Sequence, residues 1–152
     1  VTVNPAVVLL EDNEEPSASA APVLFLKRRK FALGMGCRKL AALRDLEAVA
    51  EEALNTIGAD WNSISVLATA DLKLEEPALK ELAAKHRLPL AGFTAEELNS
   101  VAVPHPSEAA REKLGINSVS EAAAILASGN GPLTVGKIKG NGATAALAEV
   151  LK

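Results

Sequence analysis

Three short stretches hold the residues whose types and spacing could do chemistry. The first, Ala68-Thr69-Ala70-Asp71-Leu72-Lys73-Leu74-Glu75-Glu76, follows the apolar run Ile64 to Leu67 and precedes an amphipathic helix. It sets a threonine, a lysine and three acids where a buried strand would empty into the mouth of an α/β sheet, the usual place for a ligand in such sheets. The second, Gly34-Met35-Gly36-Cys37-Arg38-Lys39, follows Phe31-Ala32-Leu33 and reads as another strand-end loop. Glycines at 34 and 36 would let the backbone approach a ligand closely. Arg38 could grip a carboxylate through two parallel hydrogen bonds, and a helix starting nearby would offer free N–H donors. The third is Ser118-Val119-Ser120-Glu121. The first two loops together suggest a site for an anionic ligand.

Each residue also has a plainer reading. The Gly34–Lys39 loop lacks the third glycine of a dinucleotide fingerprint and the G-K-[ST] of a phosphate loop. It could be a tight strand-to-helix turn with a surface arginine. Cys37 near a helix start and Arg38 could be an activated nucleophile, but neither histidine is placed to serve it, and a small buried cysteine is favoured. Lys73 could meet a ligand acid or pair with Glu75 or Glu76, and both acids would also stabilise a first helical turn. Glu121 reads first as the reciprocal partner of Ser118 in a capping box and only second as a catalytic base. His86 closes a helix, and His105 lies between prolines in a loop.

The elements that must position these residues follow from periodicity. Leu43, Leu46, Ala50, Ala53, Leu54 and Ile57 recur at helical spacing, closed by Gly58. Ile64 to Ala68 is a strand, Pro77 to Lys85 a helix with proline at its first position, and Leu88 to Ala91 a short strand. Thr94 and Glu97 form a capping box for a helix reaching about Val103. Ser107 caps the next helix and Gly115 stops it. An Ala-rich helix then runs to Ser128, followed by a turn at Gly129–Pro132 and a strand from Leu133 to Ile138. The hairpin-like Gly140-Asn141-Gly142 makes Ala143 to Leu151 a strand despite its helical propensity. The prediction is a three-layer α/β/α sandwich around a mixed, mostly parallel sheet. Ahead of it, Val1 to Leu10 reads as one interrupted strand, residues 11–22 as an acidic and Ser/Ala/Pro-rich linker, Val23 to Leu26 as a strand, and Lys27 to Lys30 as a solvated basic turn.

Composition narrows the function. The 152 residues suffice for one good core, and 49% hydrophobic with 23% charged content is ordinary for a globular domain. Three Phe, one Trp and no Tyr leave few stacking platforms for bases, and a net charge of −3 gives no general pull toward phosphate polymers. Nucleic acid is therefore not an expected partner. One cysteine and two separated histidines argue against a metal site. No apolar run approaches the ~18–20 residues needed to span a membrane, and no signal peptide is visible, so the expected location is cytoplasmic.

Five motifs in order, GMGCRK, ATADLKLEEPAL, FTAEEL, NSVSEAAAILAS and K-x-x-x-N-x-A-T-A-A-L-A, resemble the C-terminal domain of the cobalamin biosynthesis protein CbiG, a domain that also exists alone as CobE. The likeness runs from Phe31 to about Ala148. The family usually has glycine near Leu40 and often glycine at Ala78, and its acid at Glu75 is more often Asp. Residues 1–22 then look like the end of a preceding domain plus a linker, with the domain proper at 23–152, as in a fragment of full-length CbiG. The resemblance implies a role in building the corrin ring, where full-length CbiG, a cobalt-precorrin-5A hydrolase, opens a ring lactone and releases acetaldehyde. The alternative is a non-catalytic tetrapyrrole carrier like CobE. On this reading Gly34, Gly36, Cys37, Arg38, Thr69, Lys73, Ser118 and Thr144 bind substrate, and Lys73, Glu76 and Glu121 are the catalytic candidates. No cofactor is expected. The partners implied are a cobalt-containing tetrapyrrole, the preceding domains of the full-length protein and a second copy of the chain.

Overall fold

The computed structural model describes residues 30–151. The expected strands before Val23 and at Val23 to Leu26, the linker and most of the basic turn lie outside the described residues. Five strands form one sheet: β1 (Phe31–Cys37), β2 (Ile64–Ala70), β3 (Leu90–Phe93), β4 (Leu133–Lys139) and β5 (Ala143–Glu149). Their order is β3-β2-β1-β5-β4. The β1–β2 and β2–β3 pairs are parallel, while β5 runs antiparallel to both of its neighbours. Four strands thus share one direction, the mixed and mostly parallel sheet that the sequence predicts.

Helices α1 (Leu43–Thr56) and α2 (Pro77–Lys85) cover one face. Helices α3 (Ala95–Asn99), α4 (Glu108–Leu114) and α5 (Ser120–Ala127) cover the other. The two faces differ in side-chain size. Phe31, Leu33, Met35, Leu67 and Leu147 point toward α1 and α2 and form the main core. The alternate residues Ala68, Ala70, Ala146 and Ala148 face α5, which answers with Ala122, Ala123 and Ala124. Because strand side chains alternate between faces, a small-residue face lets a helix lie close to the sheet.

Gly34 carries this furthest. A Cβ there would collide with the Ser120 carbonyl oxygen and stand 2.5 Å from the Ala124 nitrogen. Its glycine serves helix packing and not the approach of a ligand, which corrects the expectation for Gly34. The supposed Gly34–Lys39 loop is shorter than expected as well: Gly34 to Cys37 belong to β1, paired on both sides or on one, and the chain leaves the sheet only at Arg38.

The capping box at Thr94 and Glu97 is present in full, with Thr94 N donating to Glu97 Oε1 at 2.8 Å and Glu97 N to Thr94 Oγ1 at 3.1 Å. The helix it starts ends at Asn99, short of Val103. Ser107 caps α4, and Gly115 ends it in a left-handed conformation. Beyond the turn at Gly140–Gly142, Ala143–Glu149 is a strand, because its alternation buries Ala145 and Leu147 on one face and Ala146 and Ala148 on the other. No helix among the described residues is long and apolar enough to cross a membrane.

Candidate functional site

The chain builds outward from β1 in two directions, through β2 to β3 on one side and through β5 and β4 on the other. The carboxyl end of β1 is therefore a topological switch point, where open α/β sheets form their ligand crevice. A cleft of about 460 Å³ opens there. Its floor is Gly36, Cys37, Ala143 and Thr144, where β1 and β5 pair as Gly36↔Thr144 and Cys37↔Ala143. Ser107, Ala110 and Leu114 of α4 and its cap form one wall, with Ser118 to Ser120 at the start of α5.

The charged residues of the cleft are all cations. Arg38 and Lys39 enter from the end of β1, Lys73 from the 3-10 turn after β2, and Lys137 and Lys139 from β4. No carboxylate is among the residues lining it. None of the five cations forms an ion pair with a described residue. In a chain of net charge −3 this is a local concentration of positive charge, held in a concave wall that focuses its field. The Arg38 side chain lies along Gly142, whose φ of +77° suits glycine, and the Arg38 N–H donates to the Gly142 carbonyl at 2.9 Å.

The start of α5 adds neutral donors. Val119 occupies the N-cap without a side-chain cap, so the free N–H groups of the first turn have no capping oxygen. Ser118 and Ser120 line the cleft, are 1% exposed, and their hydroxyls have no partner within the protein. A helix amino terminus with unpartnered hydroxyls beside it is suited to an anion.

The structure brings Gly36, Cys37, Arg38, Lys73, Ser118 and Thr144 together on this cleft, six of the residues that the sequence singles out. Others lie elsewhere. Thr69 is wholly buried inside β2, which extends to Ala70, two residues further than the sequence suggests, and its hydroxyl has no protein partner. Glu76 is not in the lining; its Oε1 accepts the Leu40 N–H at 2.9 Å and ties the loop after β1 to the start of α2.

The expected capping box between Ser118 and Glu121 does not form. Glu121 is fully buried, with Oε1 accepting the His105 N–H at 3.0 Å, and Oε2 accepting the Lys137 N–H at 2.8 Å and standing 2.7 Å from His105 Nδ1. The helix begins one residue later than that pattern requires, with Val119 at its N-cap, and main-chain donors of β4 and the Pro104–Pro106 segment occupy the Glu121 oxygens.

Cys37 is half-buried, and that burial pushes its thiol above the ordinary range, with Lys73 pulling it back and Glu76 pushing it further. A thiol held protonated is a poor nucleophile. His86 is likewise structural: it stacks on Trp61 with ring centroids 3.7 Å apart and meets Glu47 at 3.2 Å. No three His, Cys, Asp or Glu side chains among the described residues are grouped as metal ligands.

Residues that sequence reasoning missed are Lys39, Ser107, Ser120, Lys137 and Lys139. The signal for the last two was present. Bases flanking Ile138, directly ahead of a Gly-Asn-Gly hairpin, must stand at the sheet's end beside β5, which separates them from β1.

Residues 31–148 match the sequence family described as Cobalamin synthesis G C-terminus. The chain belongs to that family. It is 32% identical over 135 residues to a cobalt-precorrin-5A hydrolase from Priestia megaterium, a match that covers 89% of this chain and 36% of that protein. It is 34% identical to Protein CobE of a Sinorhizobium species, covering 78% of this chain and 79% of the relative. Among solved structures, it resembles that of CobE, a protein from the cobalamin (vitamin B12) biosynthetic pathway, with a TM-score of 0.75 and 30% identity over 81% of this chain and 92% of the other. The chain thus spans about a third of the hydrolase relative and most of the CobE relative.

Proposed function

We propose that the cleft binds a corrin precursor by its peripheral acetate and propionate carboxylates, and that the chain is the C-terminal part of a cobalt-precorrin-5A hydrolase. The observation that carries this reading is the set of five cations and two unpartnered serine hydroxyls in one cleft whose lining includes no carboxylate. Charge-assisted hydrogen bonds from Arg38 and Lys73 would hold the carboxylates and fix the macrocycle's orientation. A cleft of about 460 Å³ takes one edge of such a macrocycle, leaving the remainder over the rim. Water attacking the lactone carbonyl develops an oxyanion, and a cation fixed beside it lowers that barrier.

Within the same reading, residues 23–152 form the domain, the preceding domains of a longer protein or a second copy of the chain complete the site, and the location is cytoplasmic. Mixing the purified chain with cobalt-precorrin-5A and following both binding and acetaldehyde tests it. Binding with release at a catalytic rate supports the hydrolase. Binding without release makes the domain a tetrapyrrole carrier, and no binding removes the cleft from the pathway's chemistry.

A further inference from the structure

Outside the cationic cleft, one pair of titratable side chains among the described residues has an unusual construction. Glu121 is wholly buried, while the His105 ring against it is 60% exposed. Burying a carboxylate is costly unless its oxygens are fully engaged, and here they take two main-chain N–H groups and the imidazole. A carboxylate engaged this way is an acceptor, so Nδ1 is the ring nitrogen that carries hydrogen and Nε2 keeps its lone pair. The main chain alone would suffice to clamp the segment; the third bond orients an exposed ring. Pro104 and Pro106 restrict the backbone on either side of it.

His105 and Glu121 are outside the lining of the cleft, but three residues joined to them line it. Ser107, two residues beyond His105, lines it; so does Ser120, next to Glu121; so does Lys137, whose N–H Glu121 accepts. Gly136 leaves room for the ring, since a Cβ there would lie 3.2 Å from His105 Cε1.

We propose that His105, oriented by Glu121, is the proton-transfer residue for lactone opening. Resting on the hydrolase reading above, this replaces Glu76 and Glu121 as bases. Nε2 accepts a proton from water as the water oxygen bonds to the lactone carbonyl carbon. When the tetrahedral adduct collapses, the bond from that carbon to the ring oxygen breaks, and the imidazolium returns the proton to the departing alkoxide. Glu121 is a positioning residue: it holds the ring and balances its positive charge, as the carboxylate does in a catalytic triad.

The test measures tetrapyrrole affinity and acetaldehyde release for the full chain with cobalt-precorrin-5A. A positioned general base contributes about 10²–10⁴-fold. His105→Gln should therefore lower kcat at least a hundredfold while leaving the tetrapyrrole Kd within about twofold. Added imidazole should restore part of the rate to His105→Gly, which no loss of a structural clamp would allow. Glu121→Gln should lower kcat with little change in Kd; should it fail to fold, the two His105 variants still decide. Wild-type kcat in His105→Gln, or a loss that imidazole does not rescue and a fall in Tm accompanies, would overturn the assignment. A wild-type chain that binds the tetrapyrrole without releasing acetaldehyde overturns it too while leaving the binding site intact, whereas a chain that does not bind removes both.

Discussion

The Leu40 N–H donates to Glu76 Oε1 at 2.9 Å, joining the loop after β1 to the residue that caps α2. With this bond in place Leu40 lies in the left-handed region at φ +60°, and the residue is 74% exposed. Left-handed backbone costs a non-glycine residue roughly 1–2 kcal/mol. Leu40→Gly should stabilise the chain by up to ~1 kcal/mol, since the extra freedom of the unfolded glycine offsets part of the gain. Urea denaturation checks it, and a lower midpoint would mean that the leucine side chain contributes packing.

Arg38 and Lys73 enter one cleft from the ends of neighbouring strands. Replacing either with Ala should weaken tetrapyrrole binding by ~1–3 kcal/mol, the value of a hydrogen bond to a charged group. Thermal stability should hardly move, because surface charges outside ion pairs contribute little to it. Titrations at two salt concentrations add a second check: each variant should bind with a weaker salt dependence than the wild type. Equal affinities would empty the cleft of its proposed role.

How much of this was legible beforehand depended on the range of the interaction. Helices α1 and α2, the Thr94 box and the β4–β5 hairpin follow from local spacing, and the sequence reads them correctly. The basic loop at Arg38 and the lysine at 73 were legible because strand ends can be located from apolar runs. Glu121 was misread because its true partners stand sixteen residues away on either side, at His105 and Lys137, and a local capping pattern fitted it equally well. Gly34 was misread for the same reason: only the packing of α5 onto β1 shows what its missing side chain makes room for.

That packing gives a sharp test. At Gly34 a Cβ would strike the Ser120 carbonyl and crowd the Ala124 nitrogen, both backbone atoms that cannot swing aside. Overpacking of this kind costs about 1–3 kcal/mol or more. Gly34→Ala should lower the unfolding midpoint sharply, and in any folded fraction α5 should be displaced at its start, weakening tetrapyrrole binding as well. A variant of unchanged Tm would show that the helix can retreat freely.

Glu121 separates its two possible structural roles by magnitude. Losing a capping partner costs about 1 kcal/mol. Glu121→Ala instead strips the acceptor from the part-buried His105 and Lys137 N–H groups, where each donor left unsatisfied costs up to about 1–3 kcal/mol. The expected loss is therefore about 3 kcal/mol, read from chemical denaturation. A loss near 1 kcal/mol would fit the capping role and leave the buried network without weight.

Cys37 tests the electrostatics of the cleft floor from its reactivity. Burial raises its pKa most, Lys73 lowers it and Glu76 raises it again. The thiolate is the reactive form, so alkylation by iodoacetamide should be slow at neutral pH and accelerate only on the alkaline side of an ordinary cysteine. Lys73→Ala removes the one lowering influence and should shift the rate profile further alkaline. Glu76→Gln removes a negative charge and should shift it back toward neutral. Cys37→Ala should leave tetrapyrrole binding close to wild type, because the thiol forms part of the floor without offering a charge. Rapid alkylation at neutral pH, or a large loss of binding in Cys37→Ala, would place a thiolate in the cleft and reverse its reading as a packed, protonated side chain.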